Sequence, residues 1–595
     1  MSTPIAITGE GIVCAIGTDK AQVLDALRHR RTGIGPMRFL NSRHRELPVG
    51  EVSLSDDALR SALGLTDRPY VNRTTLLAIY AVRQALSDAG ISAETVSMHQ
   101  QRVVLVSGTT VAGMTITEQF FHDMLSSDHH LACLEHHSAG SSTRQTADYF
   151  GLFSDYTTLS TACSSAANAL LLGARLLEAG EADIVVAGGA EALSVFHLNG
   201  FNALMILDHK PCRPFDRQRA GLNLGEGAAY VVMERADSAN SRHQPVHAYL
   251  LGYGNACDAF HQTATTERGE GAFLAMTEAL AMAGLQPSDI QYVNAHGTGT
   301  MDNDRSESVA LRRVFGERMP LFSSTKGFTG HTTSASGSIE AVICILALQE
   351  HFVPANLGWQ VPMEDGIVPS LGEDFKALTN VVCNSFGFGG NDTSLVMCDG
   401  RCERKDLPNA PTPKVTSPIT TLARVEIHGE EELAEVRNYV TPMEYRRMGK
   451  LMKSALLSSL KALEQAGIGK PDAIITATPL GCLENSEKLL LQLVEEGEAG
   501  LKPTYFMQST HNTIGSSIAI HLQCHGYNTT YSQDADSLRW ALHDAELLLR
   551  SGRARNVLVG LHEETTPLYR QLQERLGHGT LPSVHSLAFV LSCGK

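Results

Sequence analysis

Two stretches of this chain follow one plan. Residues 156–192 read YTTLSTACSSAANALLLGARLLEAGEADIVVAGGAEA, and residues 527–564 read YNTTYSQDADSLRWALHDAELLLRSGRARNVLVGLHEE. Each opens on a Tyr/Thr-rich strand pattern, turns sharply, runs through a helical pattern that stops at Gly180 or Gly552, and closes on an apolar strand. Laid over one another, Leu542 falls on Leu170, Gly552 on Gly180 and Ala535 on Cys163. The echo begins earlier: KLMKSALLSSLKALEQAGIGKPDAIITATPLG, from Lys450, repeats the helix, Ala-Gly-Ile stop and strand of RTTLLAIYAVRQALSDAGI and VVLVSGTTVAG, from Arg73 onward. An internal repeat of this length means one supersecondary unit is used at least twice. The later copy has lost its cysteine.

At 595 residues the chain exceeds one ordinary core. From residue 4 to about 400, short apolar strands alternate with helices, which predicts an α/β architecture. Strands are expected at Ile5–Thr8, Arg102–Ser107, Tyr156–Ser160, Ile184–Ala187, Ala229–Met233, Tyr292–Ala295 and Ser394–Met397, and helices at Thr74–Ala89, Ser164–Glu178 and Ala272–Ala283. The stretch CERKDLPNAPTPKVTSPIT, 402–420, carries four prolines and reads as an extended linker. The expected units are therefore 1–400, a linker at 401–420, and 421–595. A formal net charge of -16 argues against nucleic acid or an anionic membrane as partner. The N-terminus has no basic leader and no run approaches the length of a membrane span. Twelve cysteines without disulfide-like spacing suit a reducing cytoplasm, and most read as core filler.

Cys163 is the exception, because it falls at the first turn of a helix. There, unpaired N–H groups and the positive dipole end are expected to lower its pKa and make it a nucleophile. Partners follow downstream. NAHGTGTMDNDRSE places His296 at a strand end, STKGFTGHTTSASGSIE places Lys326 and His331 in a Gly/Ser-rich loop before a helix starting near Ser336, and NSFGFGGND surrounds Phe388 with Gly387, Gly389 and Gly390. The last is no dinucleotide fingerprint, since Asp392 stands at its third glycine position and no helix pattern follows. DHHLACLEHH, 128–137, offers Asp128, Cys133, Glu135 and four histidines, from which a zinc site could be drawn, but without regular ligand spacing.

The cysteine turn, HGTGT, KxxxGH and FGFGG, together with PCRPFDRQRAGLNLGEGAA at 211–229, resemble the β-ketoacyl synthases of the thiolase superfamily over residues 4–400. The resemblance implies a layered αβαβα thiolase fold of two pseudo-repeated halves, extended here by a third, C-terminal half-domain. It also implies decarboxylative Claisen condensation. Cys163 would carry the acyl group, His296 and His331 would stabilise the enolate from a malonyl carrier protein, and the N–H groups of Cys163 and Phe388 would form the oxyanion hole, with Phe388 as gate. Lys326 would pair with Glu340, Asp304 and Glu307 would support the site, and Thr298 and Thr300 would line the phosphopantetheine arm. No metal or redox cofactor is implied. The partners are acyl carrier protein and a second copy, paired through strands beside the cysteine turn. Lys210, Arg213, Arg217 and Arg219 are candidates for a basic entrance. The departure is Asn391-Asp392 where the family usually has Thr or His followed by Asn. The tail resembles nucleophile-free chain length factors of aryl polyene clusters, which suggests a fused ketosynthase and chain length factor. Alternatives are a fatty-acid ketosynthase, a silent carrier-protein scaffold, and a decayed tail that only covers apolar surface.

Overall fold

The computed structural model describes residues 4–402, 418–579 and 582–593. Most of the expected linker lies outside them. Fifteen strands join in a single sheet. The first five are β1 (Ile5–Cys14), β2 (Val103–Gly108), β3 (Asp155–Leu159), β4 (Ile184–Glu191) and β5 (Gly227–Arg235). The next five are β6 (Ala248–Cys257), β7 (Tyr292–Asn294), β8 (Leu321–Ser323), β9 (Asn380–Gly387) and β10 (Asn391–Asp399). The tail adds β11 (Ile419–His428), β12 (Ala473–Ala477), β13 (Tyr527–Tyr531), β14 (Asn556–Glu564) and β15 (Val584–Cys593).

Across the sheet the order is β8-β7-β9-β10-β6-β1-β5-β4-β2-β3-β13-β12-β14-β15-β11. Each set of five repeats one internal order: third, second, fourth, fifth, first. The unit seen twice in the sequence is thus present three times, and residues 4–399 hold two of the copies.

Two seams join the copies. β1 pairs antiparallel with β6, placing Ile5 opposite Leu250. At the other seam Tyr531 of β13 pairs with Leu159 of β3, flanked by Ser160 N–H to Thr530 O at 2.9 Å and Ser532 N–H to Thr158 O at 3.0 Å. The edge beside the cysteine turn, expected to pair with a second copy, is therefore filled by the chain's own tail.

Helices cover both faces. α1 (Arg73–Asp88) lies on β1 so closely that a Cβ on Gly11 would stand 1.9 Å from Ala81 O. α2 (Ser165–Glu178) is buried along nearly its whole length, as its apolar circumference requires. α3 (Glu270–Ala283) lies on β6 just as closely, with Gly254 needed against Ala275 O. α4 (Ser336–Glu350) packs on α2 where Gly337 meets Ala167 N. In the tail, α5 (Lys450–Ala466) lies on β11 and β15, and α6 (Ser537–Arg550) buries one side only.

Candidate active site

The three copies of the unit each carry the same bend before α2, α4 and α6. Ala162, Thr333 and Asp534 take left-handed φ values of 54°, 44° and 44°, an uncommon backbone for residues with a Cβ. Each is followed by the residue at the tip: Cys163, Ser334 and Ala535. A serine then opens each helix. Ser165 Oγ accepts Thr161 N–H at 2.9 Å, and Ser537 Oγ accepts Gln533 N–H at 2.8 Å. Ser336 Oγ instead lies 3.0 Å from His331 Nδ1.

Around Cys163 the second copy supplies the chemistry. His331 Nε2 lies 3.1 Å from Cys163 Sγ. The His296 and His331 rings stand nearly perpendicular, 5.3 Å between centroids. Lys326 Nζ lies 2.6 Å from Glu340 Oε1 and 3.3 Å from His296 Nδ1. Glu307 accepts the N–H groups of His296 and Gly297, each at 2.8 Å, and so holds the bend after β7. Asp304 accepts the Phe215 and Gly299 N–H groups at 2.7 and 3.1 Å. Thr298 and Thr300 bond to each other at 2.9 Å and line, with Cys163 and both histidines, a cavity of about 320 Å³. The structure thus brings all the expected site residues to one place.

The electrostatics differ from the helix-dipole expectation. Burial pushes the Cys163 thiol up to about 11, against a downward pull from Lys326 and from the backbone at Phe388 and at Cys163 itself. Desolvation outweighs the dipole, and the resting group is a thiol. Burial, with the nearby Lys326 cation, holds both histidines well below the usual imidazole range, so both are neutral. Burial also raises Glu340 and Glu307 to about 7.

A lysine ammonium can only donate, so it fixes His296 as the tautomer with Nε2–H free. The serine hydroxyl beside His331 can donate or accept. His331 can therefore take the thiol proton in one step and donate a hydrogen bond in another.

Phe388 is half-buried and stacks on Phe201 at 5.7 Å. Its carbonyl accepts Asn512 Nδ2 of the tail at 2.8 Å, and Gly389, at φ 83°, leaves no room for a Cβ beside Ser516. Phe506 of the tail packs edge-on against Phe201 at 5.2 Å and occupies the space left by Gly200. Neither Phe506 nor Asn512 was marked by the sequence, because nothing local distinguishes them. The departure at Asn391 has a role: its Oδ1 accepts Ser164 Oγ at 2.7 Å and Asn168 Nδ2 at 2.9 Å, and its Nδ2 donates to Asn528 O of β13. It ties α2 to the tail.

The basic entrance is corrected in part. Arg219 is buried against Asp304 and the Thr300 and Met301 carbonyls, and Arg213 bonds Asp208, whereas Lys210 and Arg217 are exposed. The 128–137 cluster does not converge. Cys133 Sγ meets Met124 Sδ at 3.6 Å, His130 stacks on Phe120 at 4.0 Å, and His137 Nδ1 bonds Thr117 Oγ1 at 2.7 Å. Cys163, His296 and His331 bring one sulfur and two nitrogens within 4.8 Å of one another, but the Lys326 cation beside His296 opposes a metal there. Among the described residues no helix is long and apolar enough to cross a membrane.

Comparison with known proteins agrees with this geometry. Residues 2–239 match the family model "Beta-ketoacyl synthase, N-terminal domain", residues 247–360 the corresponding C-terminal domain, and residues 422–595 an N-terminal domain again. The 3-oxoacyl-[acyl-carrier-protein] synthase 2 of Coxiella burnetii is 30% identical over 412 residues, 66% of this chain and 98% of that protein. A ketosynthase (ApeO) solved in complex with its chain length factor (ApeC) from Xenorhabdus doucetiae is 30% identical, with TM-score 0.58, over 67% of this chain and 98% of that one. The PfaC keto synthase-chain length factor shares the fold across 99% of this chain and 78% of its own, with TM-score 0.79 at 16% identity.

Proposed function

Since the chain belongs to the β-ketoacyl synthase family, we propose that it joins a carrier-bound acyl chain to a malonyl unit on acyl carrier protein, and that its tail serves as a chain length factor in cis. The observation that carries this reading is the contact of Cys163 Sγ with His331 Nε2 at the wall of a cavity shared with His296.

The Cys163 thiol attacks the incoming thioester carbonyl while its proton passes to His331 Nε2. The tetrahedral oxyanion is held by the N–H groups of Cys163 and Phe388. Collapse leaves acyl-Cys163, and the proton follows the departing carrier thiolate. Phe388 then gives way to the malonyl arm, which runs past Thr298 and Thr300. The malonyl C–C bond breaks, carbon dioxide leaves, and the electron pair becomes an enolate stabilised by Nε2–H of His296 and of tautomerised His331. The enolate carbon attacks acyl-Cys163, expelling the thiolate, which takes up one proton from solvent. The electron pair comes from the malonyl unit, so the scheme calls on no metal or redox group. The acyl groups arrive on phosphopantetheine.

Support for the tail's role is the placement of Phe506 and Asn512 against Phe201 and Phe388. With the β3 edge filled in cis, one chain holds both partners of the pair, and this reading replaces the expected strand-edge homodimer. An aryl polyene or related polyketide is the product class we favour over ordinary fatty acids, because the latter need no fused tail. The twelve free cysteines support a cytoplasmic setting.

The test is to mix the full chain with acyl and malonyl carrier proteins. An acyl adduct on Cys163 and a β-ketoacyl carrier product are expected, with longer products from Phe506→Ala. A wild-type chain that forms no adduct overturns the condensing reading, and unchanged product length overturns the role of the tail.

A further inference from the structure

The far edge of the tail carries a second group of histidines, well apart in the sheet from the nucleophile. Among the described residues β11 is the edge strand, paired with β15, which pairs in turn with β14. The register sets Glu563 of β14 opposite His585 of β15, and His585 opposite His428 of β11. Glu426 lies two residues before His428 on the same face, because side chains alternate along a strand. Val425 and Ile427, which alternate with them, are buried on the other face. Four metal-binding side chains from three strands are thus gathered on one face by pairing alone.

Their atoms converge. His585 Nε2 lies 3.0 Å from Glu426 Oε1, and His428 Nε2 lies 3.2 Å from that same oxygen. The two rings stack nearly parallel, at 11° and 5.0 Å between centroids, so both Nε2 atoms are turned to one point. The three ligand atoms all lie within 4.8 Å of one another. Zinc bonded at about 2.0–2.1 Å to tetrahedral ligands keeps them about 3.3–3.4 Å apart. A shift of a few tenths of an ångström in exposed side chains would admit the ion.

A second observation comes from the other nitrogen of His585. Its Nδ1 faces Glu563 Oε2 at 3.7 Å, so the ring stands between two carboxylates. A neutral imidazole has one N–H and can serve only one of them. With a metal on Nε2 and the proton on Nδ1 it serves both, and a carboxylate behind a ligating histidine is the usual way such a ring is oriented. Arg424 holds the far oxygen of Glu426, Oε2, at 2.7 Å. Unlike the buried Lys326 beside His296, this cation is exposed and its charge is screened by water. Two imidazoles with one carboxylate favour zinc over magnesium or calcium, which take oxygen ligands.

We propose that this cluster is a zinc site, with Glu426 Oε1, His428 Nε2 and His585 Nε2 as ligands and water in the fourth place, and that the ion ties the edge strand β11 to β15. It is independent of the condensing reaction.

The experiment uses the full chain without a histidine tag, stripped by a chelator that is then removed, and titrates zinc chloride by calorimetry. A single saturable equivalent is expected, with no heat from magnesium chloride. His428→Ala, at an exposed position, should weaken zinc by about a hundredfold or more, and Glu563→Ala, behind the ligand, by about tenfold or more. Zinc should also slow amide exchange within 419–428, as read by mass spectrometry. No saturable zinc in the wild type overturns the proposal and leaves a plain hydrogen-bonded cluster. Undiminished affinity in His428→Ala overturns it too, as does an equivalent that disappears in Cys163→Ala, which would place the ion at the nucleophile. Unchanged exchange in β11 with zinc bound overturns the tie between the strands.

Discussion

Cys163 and Ala535 occupy the same bend of the same backbone, yet Cys163 is 5% exposed while Ala535 lies open at the surface. The bend cannot be what makes an active site. The difference lies in the neighbouring unit: β6–β10 folds over Cys163 and brings His296, Lys326, His331 and Phe388 with it, whereas no further unit covers the bend of β11–β15. Ser334, at the third bend, shows an intermediate outcome. It is fully buried, but its hydroxyl donates to Glu191 at 2.6 Å and is tied down. A reactive tip needs both cover and a free acceptor beside it.

The comparison breaks first at the sulfur. Cys163→Ala should lower condensation by about a thousandfold or more, since the acyl group then has no attachment point; product formation with malonyl carrier protein measures it. A variant that still elongates would show that the covered bend is not the reacting one. The next largest effect concerns the seam. Arg175 of α2 donates to Asp544 of α6 at 2.9 Å, both buried, with Tyr527 OH on the same carboxylate at 2.8 Å. Asp544→Ala leaves a buried guanidinium unpaired and should cost about 3–5 kcal/mol. Urea unfolding should show the loss, and Arg175→Met with Asp544→Leu should recover most of it. If Asp544→Ala is as stable as the wild type, the two parts are not one cooperative body.

Much of this was legible in the sequence because it is local. The cysteine turn, the helix behind it, the strand before His296 and the repeat in the tail all announce themselves by periodicity and punctuation. The middle copy, β6–β10, did not. Its strand β6, AYLLGYGNAC, is interrupted by Gly252 and Gly254, which are there to admit α3, and its bend reads TTSASGS, small polar residues that look like a solvated loop. Both signals were spent on close packing. Arg219 looked like a surface cation because its partner Asp304 is remote in the chain. The sign of the Cys163 shift escaped for a related reason: a helix N-terminus is visible in a sequence, but the depth at which it is buried is not.

A smaller effect separates the seam from the rest of the interior. His137 and His511 flank it, each depressed to about 4 by desolvation. An imidazole held neutral in the fold but free to charge when unfolded stabilises the native state above its unfolded pKa of about 6.5, and loses that contribution as pH falls toward 4. Each ring can account for up to about 3 kcal/mol over this window. The melting temperature should therefore drop between about pH 6.5 and 4, and His511→Gln should flatten part of the slope. An unchanged slope would place the acid sensitivity elsewhere, for example at buried His562.

The smallest effect on function is the most direct test of what cover does. Ala535→Cys restores the lost side chain at the tip of the exposed bend, at the start of α6, with none of the desolvation that pushes Cys163 up to about 11. A thiol there should titrate near the ordinary cysteine value of about 8.5, so at pH 8 its thiolate fraction exceeds that of Cys163 by about two hundredfold. Peptide mapping after brief iodoacetamide treatment should find the introduced thiol alkylated first. Acyl carrier protein should still load only Cys163, because the introduced sulfur has no imidazole to receive its proton and no pair of backbone donors closed over the oxyanion. Should the exposed thiol accept the acyl group in a Cys163→Ala background, the bend alone would suffice and the second unit would be dispensable for transfer. Should Cys163 alkylate faster than the exposed thiol, the helix dipole and Lys326 would outweigh burial after all, and the resting nucleophile would be the thiolate.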